Sequence, residues 1–150
     1  MESVYKQVMK FKRKYPFTVT HHRLKKHSQI IDKHLNPGEV VTYAFAAQKN
    51  AKQLDFFETS IIAITNERIL IGQKRVMFGY FLTSVTPDLY NDMQVTSGVL
   101  WGSVTIDTVK EQIQLSNISK SALPEIETKI SSFMMKAKKK NGKKESSTTC

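Results

Sequence analysis

Residues 61–72 read Ile-Ile-Ala-Ile-Thr-Asn-Glu-Arg-Ile-Leu-Ile-Gly, and this stretch restricts the fold more than any other part of the chain. Two runs of branched apolar residues flank a polar Asn66-Glu67 pair, which is the pattern of a tight β-hairpin. Alternation sets Ile62 and Ile64 on one face and Ile61 and Ala63 on the other, so both faces are apolar. Such a hairpin meets protein on both sides, which places it inside a small barrel or sandwich rather than on a one-sided sheet.

The surrounding sequence supplies further short strands. Residues 39–48 alternate with Val41, Tyr43 and Phe45 on one face, and a polar loop over 49–55 leads into the hairpin. After the basic turn Gln73-Lys74-Arg75, residues 76–82 read as a strand interrupted by Gly79. Thr86-Pro87-Asp88, Ser97-Gly98 and Lys110-Glu111 are turn signals that separate strands over 89–96, 99–107 and 112–115. About seven short strands at this spacing indicate a barrel or sandwich.

Helical periodicity marks the two ends. Val4, Val8 and Phe11 line one side of a short helix that Pro16 terminates, and Leu24, Ile30, Ile31 and Leu35 line a second over 20–35, stopped by Asn36-Pro37-Gly38. Leu123, Ile126, Ile130, Phe133 and Ala137 follow offsets of three and four along a C-terminal helix that Ser121 can cap. Residues 138–150 hold too little apolar surface to order themselves and are expected to be mobile. The expected organisation is a basic helical extension over 1–36, a β domain over 37–137 and a lysine-rich tail over 138–150.

Charge divides along the same boundaries. Residues 1–36 carry nine Lys or Arg against two acids, residues 37–135 carry eight against ten, and residues 136–150 carry six lysines against Glu145. A nearly neutral globule therefore has two cationic ends, which attract anionic membrane, nucleic acid or acidic protein. No run approaches the roughly 18 apolar residues of a membrane span, and the first ten residues lack the apolar core of a secretory signal. The lone Cys150 allows no internal disulfide. The expectation is a cytoplasmic protein, with attachment at the inner membrane face as the option its basic ends open.

Signs of catalysis are weak. No nucleophile motif, Gly-rich phosphate loop or metalloprotease signature occurs. Asp88 with Asp92 and Asp107 with Glu111 stand at turns, where acids serve turn chemistry. His21, His22, His27 and His34 lack the cysteines or multiple carboxylates that usually complete a metal site, so neither metal nor cofactor is expected; their protonation below about pH 6.5 would make the N-terminal end more cationic. An enzyme is not expected.

The segments Leu35-Asn36-Pro37-Gly38-Glu39-Val40, Ile64-Thr65-Asn66-Glu67-Arg68-Ile69-Leu70-Ile71 and Tyr90-Asn91-Asp92-Met93 before Gly98 give residues 35–137 a resemblance to the bacterial pleckstrin-homology-like (PH-like) domains of the YokE type. The resemblance implies an α+β fold, mainly β: a bent seven-stranded antiparallel barrel or sandwich capped by a C-terminal helix, here preceded by the N-terminal helical segment. It also implies a non-enzymatic binding or membrane-associated module. Better-known relatives bind phosphoinositides with basic residues around the loop between their first two strands. Here that loop offers Lys49 and Lys52, followed by Asp55 and Glu58, without the relatives' Lys, Lys/Arg, x, Arg pattern.

The candidate anion- or membrane-binding residues are therefore Lys49, Lys52, Lys74 and Arg75 at the rim and Lys138, Lys139, Lys140, Lys143 and Lys144 in the tail. Phe56, Phe57 and Trp101 are either packed or exposed anchors for a partner. Arg68, just after the hairpin turn, reads as a fixer of the corner rather than a ligand group. The expected function is docking to a protein partner or an anionic membrane surface, with the ends adding electrostatic affinity. The alternative is a nucleic-acid-associated protein whose ends contact phosphates. Homo-oligomerisation stays open.

Overall fold

The computed structural model describes residues 2–20, 23–50, 57–75 and 78–147, and for residues 50, 57, 58 and 141–147 the backbone alone. Helices α1 (Val4–Lys14) and α2 (Leu24–Lys33) precede strands β1 (Val41–Asn50), β2 (Phe57–Thr65), β3 (Ile69–Lys74), β4 (Tyr80–Val85), β5 (Tyr90–Ser97), β6 (Trp101–Thr108) and β7 (Gln112–Ser119). A 3₁₀ turn over Lys120–Ala122 leads into α3 (Leu123–Ser147). The strands form one antiparallel sheet in the order β4-β3-β2-β1-β7-β6-β5, curled into a half-barrel. The long β1 joins the halves, pairing with β2 along its length and with β7 through Gln48 and Lys49.

Both faces of the hairpin are buried, each in a different core. Ile62, Ile64, Ile69 and Ile71 point inward with Phe45, Val104, Ile106, Ile113 and Leu115, and α3 closes over them with Leu123, Ile126, Ile130 and Met134. Ile61, Ala63 and Leu70 point outward, where Val4 and Val8 of α1 and Ile31 of α2 cover them. Val4, Val8 and Ile31 are fully buried, and at about 1.5–3 kcal/mol for each such side chain the N-terminal helices are a structural layer of this fold rather than an appendage. Gly72 permits the close approach of α2, since a Cβ there would lie 2.9 Å from Ile31 Cγ1.

Several boundaries differ from those read in the sequence. The register of β1 shifts between Val41 and Tyr43, so Val41 joins Ala44 and Ala46 on the outer face instead of sharing the inner face with Phe45. Gly79, with φ +76°, belongs to the turn before β4 rather than to a strand interior, and β4 runs on to Val85. Arg23, with φ 79°, holds the left-handed conformation immediately ahead of α2, which delays the start of that helix to Leu24. Ser121 falls within the 3₁₀ turn and not at a cap position. The apolar stripe of α3 turns inward through Met134, with Phe133 only partly buried. The helix α3 runs past the expected boundary at Ala137, its backbone staying helical through Ser147, consistent with the good helix propensity of lysine.

The corner of the hairpin is tied to the segment before β1 by buried charge. Glu39, whose side chain is fully buried, meets Arg68 through Nε to Oε1 and Nη2 to Oε2, both at 3.0 Å. The guanidinium also donates to the His34 carbonyl at 2.9 Å and to Ser84 Oγ at 3.2 Å. Thr65 hydroxyl donates to Glu39 at 2.7 Å and accepts the Glu67 and Arg68 N–H groups, while Asn66 Oδ1 accepts the Val40 N–H at 2.8 Å. Burial pushes the Glu39 carboxyl up, but bonds from Arg68, the Asn36 N–H and Thr65 outweigh it and hold it below its ordinary value. Arg68 therefore fixes the corner, as the sequence suggested.

Candidate functional site

Among the described rim residues, Lys49 and Lys74 lie on opposite faces of the sheet. Lys49 lies opposite Glu58 near the end of β1, and strand alternation puts it on the inner-face side of Phe45 and Ala47. Lys74 follows Leu70 and Gly72 on the outer-face side, and its N–H donates to His27 Nδ1 at 2.8 Å. Arg75 turns over the Phe81 ring at 5.1 Å. Lys52 and Phe56 lie outside the described residues, as do His21, His22 and Cys150, and Phe57 is described only as backbone opening β2. His27 is buried and His34 contacts the Ile30 carbonyl and Tyr80 hydroxyl, so both packed histidines support α2. Among the described residues no group of three or more His, Cys, Asp or Glu is placed to hold a metal.

Cations from both ends of the chain instead converge around Tyr43. A groove of about 770 Å³ runs between the hairpin corner, the β4–β5 turn and α3. Its wall on α3 carries Lys129, Ser132, Phe133, Lys136, Ala137, Lys139 and Lys140; Tyr43 and Pro87 supply apolar surface opposite, with the buried Ile64 behind them, and Glu67 and Asp88 also line it. A shallower depression of about 270 Å³ shares Thr42 and Tyr43 with it and is flanked by Lys10, Lys14 and Phe11 of α1, with Glu2 and Glu125. Two helices more than a hundred residues apart thus present their lysines on either side of one tyrosine.

The charges around that tyrosine fall into two groups. Lys14 Nζ meets Glu125 Oε1 at 2.7 Å, and the Tyr43 hydroxyl donates to Glu125 Oε2 at 2.8 Å. Burial raises the Glu125 carboxyl, and the bonds from Lys14 and Tyr43 more than reverse that, leaving it below the ordinary value. The Tyr43 phenol is pushed far above its usual range, by burial first and then by Glu125. Lys10 is paired with Glu2. By contrast, none of the ion pairs among the described residues engages Lys129, Lys136, Lys139 or Lys140; Lys129 lies over the Tyr43 ring at 5.5 Å and Lys138 over Tyr90 at 5.8 Å. Lys10 and Lys14, the α1 lysines beside Tyr43, are thus paired with acids, and the groove lysines of α3 are available to an external anion.

Lys139 and Lys140 line this groove, Lys138 instead lies over Tyr90, and for Lys143 and Lys144 only the helical backbone is described. Lys129 and Lys136, which sequence reasoning did not single out, belong to the same wall. Their spacing of seven, continued to Lys140 four residues on, was the available signal: a cationic stripe beside the apolar one. Trp101 is 41% exposed, and its indole N–H donates to the Phe17 carbonyl at 2.7 Å.

A family model described as Bacterial PH domain matches residues 35–132. The chain belongs to the bacterial PH domain family. Its match contains the whole sheet, the Glu39–Arg68 corner and the first part of α3, whereas α1, α2 and the distal lysines of α3 lie outside it. Among solved structures, the chain is similar to a DUF1696 family protein with a pleckstrin-homology domain from Shewanella loihica, at 13% identity and a TM-score of 0.47 over 79% of this chain and 95% of that one. No curated protein matches. PH-like domains are in general non-catalytic modules that bind proteins or lipids. Among the described residues no helix of this bacterial PH domain is long and apolar enough to cross a membrane.

Proposed function

We propose that this bacterial PH domain is a non-enzymatic docking module whose groove between the hairpin corner and α3 takes an acidic segment of a partner protein. The observation that carries the reading is the wall formed by Lys129, Lys136, Lys139 and Lys140, unpaired among the described residues, beside the apolar surface of Tyr43, Pro87 and Phe133. Lysines supply attraction and steering, and a concave apolar strip supplies a place for one or two anchoring side chains. A concave site bounded by a helix and a β corner suits a peptide segment better than a flat bilayer, for which the same lysines add only general attraction.

Fluorescence anisotropy with a labelled Glu-rich peptide carrying a central Phe tests the reading. The native chain should bind it in a salt-sensitive manner, and the charge reversal Lys136→Glu/Lys140→Glu should weaken binding by about tenfold or more. Equal affinity of the two proteins would remove the groove from the account. Tighter, equally lysine-dependent binding of single-stranded DNA or RNA would favour phosphate contacts instead.

A further inference from the structure

The connection after α1 and the turn between β5 and β6 form a second surface, which shares no residue with the main groove. Phe17 is 67% exposed, Val99 89%, Leu100 53% and Trp101 41%. These side chains are carried by short segments that are pinned together. Trp101 Nε1 donates to the Phe17 carbonyl at 2.7 Å, and the Lys120 N–H to the Leu100 carbonyl at 3.0 Å. The Ser119 N–H reaches Thr18 Oγ1 at 3.0 Å, and the Val19 N–H reaches the Asn117 carbonyl at 2.9 Å. The segments that carry these four apolar side chains are thus tied together by two backbone and two side-chain–backbone hydrogen bonds.

The segments that carry them are basic in sequence. Residues 3–31, 93–106 and 112–124, which contribute all of these segments, contain no Asp or Glu. They do contain Lys12 and Arg13 in the last turn of α1, together with Arg23 and Lys120, while the neighbouring Lys14 is paired with Glu125. Lys12 is anchored to the patch, its Nζ donating to the Thr18 carbonyl at 2.5 Å. Apolar tips on turns, with a tryptophan whose polar atom is already satisfied and a surrounding set of cations, match the chemistry of a bilayer interface. Aliphatic and aromatic groups enter the acyl boundary there while lysine and arginine meet anionic headgroups. Contiguous exposed apolar surface of this kind on a soluble domain marks an interaction site.

We infer that Phe17, Val99, Leu100 and Trp101 form an insertion surface for anionic membranes, with Lys12, Arg13 and Lys120 contacting the headgroups. Trp101 is the only tryptophan of the chain, so its emission reports on this patch alone. The experiment uses the full chain with vesicles of phosphatidylcholine alone or with about 30% phosphatidylglycerol, at low salt. Sedimentation, Trp101 emission and quenching by lipids brominated on the acyl chains are read together. With the anionic vesicles the protein should co-sediment, and its emission should shift to the blue and be quenched; with neutral vesicles all three signals should be much weaker. The double variant Val99→Asp/Leu100→Asp, whose side chains are exposed enough to leave the native melting curve unchanged, should partition at least about tenfold less. Lys120→Glu should weaken binding about fivefold or more. Failure to bind anionic vesicles, binding with unshifted and unquenched Trp101, or undiminished binding by the folded double variant would each overturn the inference.

Discussion

Replacing Arg68 by Met removes the cation of the hairpin corner while keeping most of the apolar stem. Four hydrogen bonds disappear, two to Glu39 and one each to the His34 carbonyl and Ser84. The carboxylate left behind has a fully buried side chain and keeps only the Thr65 hydroxyl and the Asn36 N–H as donors. Breaking a buried pair from one side costs roughly 3–5 kcal/mol, and because Arg68 itself is 17% exposed and two donors survive, the lower end, about 3 kcal/mol, applies. With a urea m-value of about 1.5–2 kcal/mol/M for a chain of this size, the midpoint should fall by about 1.5–2 M.

The pH dependence gives a second, signed test of the same variant. In the native chain the Glu39 carboxyl lies below its ordinary value, so its contribution is complete above the unfolded value and is lost as pH falls through the folded one. Without Arg68, burial is opposed by fewer donors and the carboxyl rises. The variant then loses relative stability as pH rises through that higher value, and the gap to the native protein should narrow on acidification from neutral pH. A loss below about 1 kcal/mol, or a gap that widens in acid, would refute the assignment of this pair as the clamp of the corner.

Two other perturbations test the outer layer. Gly72→Ala places a Cβ against Ile31 and should cost about 1–2 kcal/mol in thermal or urea melts, because α2 must move outward. Deleting residues 1–33 uncovers Ile61, Ala63 and Leu70, so the shortened chain should bind a hydrophobic dye and aggregate, measured as dye fluorescence and soluble yield; a soluble, dye-silent, cooperatively folding product would show that the helices are dispensable.

The inner framework was legible because its signals are local. The two-faced hairpin, the turns at Ser97-Gly98 and Lys110-Glu111, and the spacing of Val4, Val8 and Phe11 each state a periodicity within a few residues. The register of β1 was not legible, because a single bulge between Val41 and Tyr43 reverses which alternate set faces inward without changing composition. Nor was the groove. It joins Tyr43, the 65–67 corner, the β4–β5 turn and α3, four segments brought together only by folding. Reading charge by blocks separated the lysines of the two ends, whereas the structure directs α1 and α3 toward the same tyrosine. The resemblance segments around Glu39 and Arg68 proved to be one physical object, a buried ion pair, which explains why they speak for fold rather than for ligand.

Amide chemical shifts recorded while the Glu-rich, Phe-containing peptide is titrated into the labelled chain test the docking reading most directly. The account predicts that the largest shifts cluster on α3 between Lys129 and Lys140, at Thr42 and Tyr43, and at Thr65, Asn66 and Glu67. Shifts concentrated instead at Lys49, Lys74 and Arg75, with the α3 wall unmoved, would contradict it and return the binding site to the strand rim.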